Sequence, residues 1–305
     1  MPLICTGTIG IDTVFAPAGH AERVLGGSCT YFCAAASFFS PVRMVAAVGG
    51  DFPSEFRDVL SSFAGVDLRG LETRPNSKTF AWGGKYLQNM NTRETLFTEL
   101  GVLAEHPPTV PEAFADSRYV FLANSHPAVQ LNLLSQIRGK PTVVADTMDL
   151  WINTAKADLL VLLRKTDGLV LNYDEAELLT GRSNSVAAAR HILEMGPRFV
   201  VVKKGEHGAL LAHRDGLAAL PAFPAEFVVD PTGAGDTFAG GMMGWIASTN
   251  APDPASFDTI RRSLAAGTVV ASFNIESFSL DRLRTLTRSE LDTRIRQYAD
   301  MVRIP

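Results

Sequence analysis

The chain has 305 residues, 46% of them hydrophobic and 20% charged, with a formal net charge of -4 at pH 7. That balance suits a folded protein with a substantial core and argues against disorder over most of its length. Lysines and arginines are scattered rather than clustered, so nucleic acid is not an expected partner.

Residues 1–10 carry no basic leader before an apolar stretch, and residues 2–9 read as a first buried strand rather than a secretion signal. No apolar run is long enough to span a bilayer, so no membrane association is expected. Cys5, Cys29 and Cys33 are three in number, two of them four residues apart in a predicted helix. That pattern argues for reduced thiols and a cytoplasmic location. The six histidines show no metal-ligand spacing with one another or with the cysteines.

Extended residues lead to the pair Gly26-Gly27, after which 28–39 is small, apolar and helical, with Ser28 as its predicted cap. A second buried strand over 42–48, a Gly49-Gly50-Asp51 turn and an amphipathic helix over 54–63 complete a βαβ rhythm. The rhythm breaks at 79–87 and 93–100, two strands joined by the polar turn Gln88-Asn89-Met90-Asn91. Phe80, Trp82 and Tyr86 share one parity in this hairpin, giving an aromatic face suited to a satellite core, a dimer contact or a cover over substrate. A Pro-rich loop at 105–111 leads back, and strands at 119–123, 142–145, 168–171 and 199–203 then alternate with helices at 129–137, 157–165, 174–180 and 186–195. Apolar strands separated by helices imply a mostly parallel sheet covered on both faces. A strand at 226–229, two small-residue helices over 234–247 and 256–273, and an amphipathic helix over 288–302 complete the chain.

The segment richest in chemistry is Asp230-Pro231-Thr232-Gly233-Ala234-Gly235-Asp236. Small residues at a helix start leave backbone N–H groups pointing into open space, and the helix dipole adds positive potential there. Phosphoryl transfer needs such donors for its spreading negative charge, plus an acceptor for the hydroxyl proton, and Asp236 is placed to be that acceptor. On this loop alone, a plain glycine turn with Asp236 as an early-helix carboxylate accounts for the residues equally well. No Gly-x-x-x-x-Gly-Lys-Ser/Thr motif occurs, and Phe238 stands where a dinucleotide fingerprint needs its third glycine.

Asp230 to Asp236, followed by Thr237-Phe238-Ala239-Gly240-Gly241, resembles the C-terminal signature of the PfkB carbohydrate kinases, a family that includes ribokinase, fructokinase and adenosine kinase. Gly26-Gly27 and Val48-Gly49-Gly50-Asp51 resemble its N-terminal signature, Asn172-Tyr173-Asp174-Glu175 its Asn-x-x-Glu motif, and Lys204-Gly205-Glu206-His207-Gly208 the glycine turn at its nucleotide site. The resemblance spans nearly the whole chain. It implies one three-layer α/β ribokinase-like domain over 1–305, with a mostly parallel central sheet and a small β lid from about 12–25 and 78–100. It implies an ATP-dependent kinase acting on a hydroxyl of a small polyhydroxylated molecule, a sugar in the first instance and a nucleoside as the alternative. A non-catalytic sugar or nucleotide sensor is the contrasting reading, with little need of Asp236.

By the same resemblance, Asp236 accepts the hydroxyl proton while the backbone of Gly233, Ala234 and Gly235 holds the migrating phosphoryl group. Asn172 and Glu175 place Mg²⁺ and the nucleotide phosphates, Glu175 as the metal-side carboxylate. Lys203, Gly205, Gly208 and Thr232 serve the nucleotide. Asp12, Gly26, Gly27 and Asn124 serve the acceptor, because one short carboxylate suits two vicinal hydroxyls. The residues after Gly26-Gly27 are Ser28-Cys29-Thr30-Tyr31-Phe32, where many sugar kinases of the family carry an asparagine, which loosens the inference to any one substrate. The stretch from Ala271 to Glu276 lacks the glycine-alanine loop that helps some relatives bind a monovalent cation, so potassium activation is not expected. Lid strands that pair two copies into a homodimer are a further implication.

Overall fold

The computed structural model describes residues 2–303. The amino-terminal third runs β1 (Leu3–Thr6), β2 (Gly10–Ala16), β3 (Gly19–Gly26), α1 (Ser28–Ala36), β4 (Val42–Gly49), α2 (Ser54–Ser62), β5 (Val66–Arg74) and the hairpin β6 (Phe80–Tyr86) and β7 (Arg93–Glu99). It continues through β8 (Tyr119–Leu122), α3 (Pro127–Ser135), β9 (Thr142–Asp146), α4 (Asp149–Thr154), α5 (Lys156–Leu163), β10 (Gly168–Asn172), α6 (Tyr173–Thr180), α7 (Ser185–Glu194) and β11 (Phe199–Lys203). The hairpin β12 (Ala209–His213) and β13 (Gly216–Leu220) follows, then α8 (Ala234–Thr249), α9 (Phe257–Asn274), α10 (Asp281–Thr285) and α11 (Arg288–Met301).

A nine-stranded sheet has the order β13-β12-β11-β10-β9-β8-β1-β4-β5. It is parallel from β5 to β11, and only the last two pairings, β11–β12 and β12–β13, are antiparallel. Alternation along the strands feeds two cores. Leu3 and Cys5 face one side and Ile4 the other, and Phe199 and Val201 oppose Val200 and Val202 in the same way. The first side is covered by α1, α8 and α9, the second by α3, α5, α6 and α7, which makes the three α/β/α layers that were expected.

A second, four-stranded sheet has the order β3-β2-β6-β7, with β2 and β6 parallel and the outer pairs antiparallel. Its edge strand β7 is exposed along its whole length. The predicted hairpin over 79–100 is the β6–β7 pair, and the extended stretch after β1 supplies the other two strands.

Several sequence expectations are corrected. Residues 226–229 form no strand; the chain there is irregular and its backbone leans on the end of α9, with Val229 N donating to Ile275 O at 2.8 Å. Ser28 is not the cap of α1. Gly27 holds that position with φ 98°, and the Ser28 hydroxyl instead accepts from Thr8 N at 3.1 Å and donates to Asn124 O at 3.0 Å. β5, β12, β13 and α4 are elements beyond those predicted from the sequence. Cys5, Cys29 and Cys33, spaced without any metal pattern, converge beneath α1 as buried free thiols whose sulfurs lie within 4.8 Å of one another. No helix among the described residues is long and apolar enough to cross a membrane.

Candidate active site

The loop before α8 is held at Thr232, from within the loop and from α9. Asp230 Oδ1 accepts from Thr232 N at 2.8 Å, and the Asn274 amide donates to Thr232 O at 2.8 Å. Gly233 caps α8 in the left-handed region at φ 73°, and a Cβ there would lie 2.3 Å from the Tyr31 ring, so neither the backbone nor the space admits another residue. Ala234 turns its N–H back to Pro231 O at 3.1 Å, and Thr237 N opens the helical ladder on Gly233 O at 2.8 Å. The amides of Gly235 and Asp236 therefore lie in the first turn without an intrahelical acceptor. Behind the loop, α8 approaches α1 to backbone contact. A Cβ on Gly240 would sit 2.3 Å from Phe32 O, and one on Gly244 2.7 Å from Ala36 O.

Asp236 occupies the first turn of α8, half-buried, and accepts no hydrogen bond from a described side chain. Burial, with the Asp146 carboxylate next, pushes its carboxyl up to about 7, against the pull of Lys203 and Arg93. Lys203, at the end of β11, reaches Asp146 at the end of β9 with Nζ 3.3 Å from Oδ2. The same ammonium lies 2.9 Å from where a Cβ on Gly235 would stand, so it rests against the loop. Burial works against the ammonium, yet Asp146, Glu175 and Asp236 together raise its pKa.

Asn172 and Glu175 form a capping box at the start of α6. Asn172 Oδ1 accepts from Glu175 N at 2.8 Å, and Glu175 Oε2 accepts from Asn172 N at 2.7 Å. Glu175 is buried, and burial plus the Asp146 charge lifts it to about 8. A buried carboxyl beside a second carboxyl gains from any added cation.

On the other side of the loop, Asp12 in β2 is buried with Oδ1 unpaired. Burial and then Asp230 raise it to about 7, while the Gly27 amide favours its charge. A Cβ on Gly26 would fall 1.8 Å from Asp12 Oδ2, so that glycine is what lets the carboxylate lie against β3. Asn124 is already engaged, its Oδ1 accepting from Trp151 Nε1 at 3.0 Å and its amide nitrogen 3.1 Å from Met148 Sδ.

A cleft of about 520 Å³ opens from Gly235 and Lys203 past Gly205 and Gly208 to Pro221, Ala225 and Ile275. Gly205 and Gly208 have φ of 55° and 83°. A Cβ on Gly208 would meet Leu220 O at 2.0 Å, so this glycine serves the crossing of two chain segments. The tip of the β6–β7 hairpin reaches the same turn, with Asn91 Nδ2 3.5 Å from Glu206 Oε1. The buried Tyr86 hydroxyl meets Thr232 Oγ1 at 3.3 Å and joins the hairpin to the loop.

The structure thus gathers Asp236, Gly233, Ala234, Gly235, Thr232, Lys203, Asn172 and Glu175 on one side, and Asp12, Gly26 and Gly27 on the other. Two residues escaped the sequence reading. Asp146 closes an apolar parallel strand at its carboxyl end, a position where α/β sheets hold ligands, and that was a usable signal. Arg93 pairs across the hairpin with Tyr86 and lies 5.6 Å from the Trp82 ring, on the aromatic face. It has no ion-pair partner among the described residues, and only its register with Tyr86 could have revealed it.

The sequence pattern of the pfkB family carbohydrate kinases matches residues 12–284. The cytidine kinase of Thermococcus kodakarensis is 31% identical over 252 residues, which are 80% of this chain and 87% of that protein. Among solved structures, the Burkholderia thailandensis nucleoside kinase in complex with inosine superposes with a TM-score of 0.77 at 19% identity, covering 98% of each chain. An E. coli protein described as a candidate ribokinase II, in complex with ATP and Mg²⁺, superposes with a TM-score of 0.78 at 18% identity, over 97% of this chain and 99% of that one.

Proposed function

This chain belongs to the pfkB family of carbohydrate kinases, phosphotransferases with an alcohol acceptor, and on that premise we propose that it phosphorylates a nucleoside with ATP, using Asp236 as the general base. The observation that carries the reading is the position of Asp236. It stands at the start of α8, beside free first-turn amides, with the Asp12 carboxylate on one side and the glycine-walled cleft on the other.

The cleft has the room and the apolar walls for an adenine nucleotide whose phosphates end at Gly235. Asp12 accepts from two vicinal hydroxyls of the acceptor, an arrangement its unpaired Oδ1 supports. Asp236 takes the proton of the attacking hydroxyl as that oxygen bonds to the γ-phosphorus and the bond to the ADP oxygen breaks. The first-turn amides, Lys203 and Arg93 carry the equatorial charge of the transferred group. When bound, Mg²⁺ neutralises phosphate charge; Glu175, with its second oxygen uncommitted and the Asp146 carboxylate near it, suits such a cation. The hairpin, tied to the loop through Tyr86 and Thr232, acts as the lid that excludes water.

The residues alone leaned towards a sugar acceptor. A relative spanning most of both chains is a cytidine kinase, and the ribose of a nucleoside offers Asp12 the same vicinal diol, which moves the reading to nucleosides. A panel of cytidine, inosine, adenosine, ribose and fructose, scored by ADP release with ATP and Mg²⁺, tests this. Turnover confined to free sugars would reverse the choice of acceptor. The exposed edge of β7, carrying Leu96 and Phe97, suits pairing with a second copy, and sedimentation tests that reading.

A further inference from the structure

We propose that Asp146 is a positioning residue that holds the Lys203 ammonium against the phosphoryl loop and away from Asp236. The proposal rests on Asp236 being the base. Asp146, Asn172 and Lys203 end three adjacent parallel strands, β9, β10 and β11, with Val170 opposite Asp146 and Asn172 opposite Lys203. Lys203 reaches past β10 to put Nζ 3.3 Å from Asp146 Oδ2, both side chains being largely withdrawn from solvent.

Asp146 is itself fixed. Its Oδ1 accepts from Thr147 N at 2.8 Å, and its carbonyl accepts from the buried Gln130 amide at 2.9 Å, which also ties Leu122 O and Ala123 O. The ammonium on this anchor lies 2.9 Å from the Cβ position of Gly235, so it faces the backbone that would receive a transferring phosphoryl group. A methyl group at 235 would occupy its place.

The lysine has other carboxyls to choose from. Asp236 and Glu175 both feel its charge, and neither forms a salt bridge with it in this structure. A flexible four-carbon stem turns readily to a nearby anion once its own partner is gone. A lysine swung onto Asp236 would occupy the lone pairs that must receive the hydroxyl proton and would leave the loop without its cation. The anchor therefore acts through the lysine, and Asp146 itself need touch neither substrate.

The test is a double-mutant comparison of Asp146→Asn, Lys203→Met and the pair, with kcat and the acceptor KM measured for each and folding checked by thermal melting. Lys203→Met removes the cation and lowers kcat. Asp146→Asn is expected to lower kcat by about a hundredfold, the scale of a misplaced charged group, with the acceptor KM within about twofold because Asp12 is untouched. The double variant is expected to be no slower than Lys203→Met alone, since with no lysine there is nothing to hold. Losses that multiply in the double variant would overturn the proposal, as would an Asp146→Asn enzyme of wild-type kcat. An Asp146→Asn chain that fails to fold where Lys203→Met folds would also overturn it, by making Asp146 a structural residue. A wild-type chain without turnover on any acceptor would instead remove the kinase reading beneath it.

Discussion

The carboxyl end of the nine-stranded sheet and the edge strand of the four-stranded sheet place their charged groups in opposite environments. At the carboxyl end of the nine-stranded sheet, Asp146, Lys203, Glu175 and Asp236 crowd together largely out of water, and the carboxyls of Asp236 and Glu175 are pushed up to about 7 and 8. In the four-stranded sheet the charged residues of β7 are solvated, and Arg93 stands among them without an ion-pair partner. The first arrangement fixes groups in place and strengthens the interactions between their charges. The second leaves the hairpin edge in water, with the Arg93 charge pulling on Asp236 from the solvated side. Phosphoryl transfer is thereby assigned to the large sheet and access to the β6–β7 hairpin, while Asp12 on β2 stays buried to anchor the acceptor.

That division is broken most directly at the base. Asp236→Asn is expected to lower kcat by roughly 10²–10⁴, the range for losing a general base, with ADP affinity by calorimetry nearly unchanged. Comparable turnover in this variant would shift the proton acceptor elsewhere. Next comes Gly26→Ala, which drives a methyl group into the Asp12 carboxylate at 1.8 Å. We expect about a hundredfold loss in kcat/KM for the acceptor, from misplacement of its anchor, while ATP KM holds.

The hairpin should give smaller numbers. Arg93→Ala is expected to reduce kcat about tenfold, below the cost of losing a fixed donor because its solvated head spends part of its time open. Tyr86→Phe, which deletes only the 3.3 Å contact to Thr232, should cost a few-fold at most and raise the exchange of β6 amides with solvent. Equal losses from Arg93 and Asp236 would abolish the distinction drawn between the sheets.

The pH dependence sharpens it further. With the Asp236 carboxyl at about 7, kcat/KM should rise with pH through neutrality as the base ionises. The same shift acts on stability with a definite sign. Between the ordinary carboxylate range and about 7 the native state holds a proton that the unfolded chain releases, so native stability falls as pH rises through that window. Asp236→Asn lacks this penalty. Its melting temperature should exceed that of the wild type at pH 8, with the gap closing towards pH 4.

Most of the fold was legible because its strands are apolar runs with turns between them, and the glycine-rich start of α8 stands out at any reading. β5 hid because charged residues punctuate it and its register slips between Arg43 and Val45. The β12–β13 hairpin was readable in Asp215-Gly216, a turn pair between two apolar runs, and was passed over. The stretch 226–229 looked like a strand because Phe227, Val228 and Val229 are good strand formers, but Phe227 is 75% exposed and no neighbouring strand offers a partner. In the site, motif residues were visible because their chemistry depends on local spacing. Asp146 and Arg93 act across strands 57 and 143 positions from their partners Lys203 and Asp236, and spacing along a chain carries no trace of that.

One helix links the two halves of the site. α1 begins at Gly27 beside the Asp12 carboxylate, sets the Tyr31 ring under Gly233, and ends with Ala36 pressed on the backbone of Gly244. It is in effect a spacer gauge: its length fixes how far the bound alcohol lies from the helix that carries its base. With Tyr31 against Gly233 and Ala36 against Gly244, substitutions that thicken α1 would widen that gap, and room for larger acceptors would come from the hairpin side.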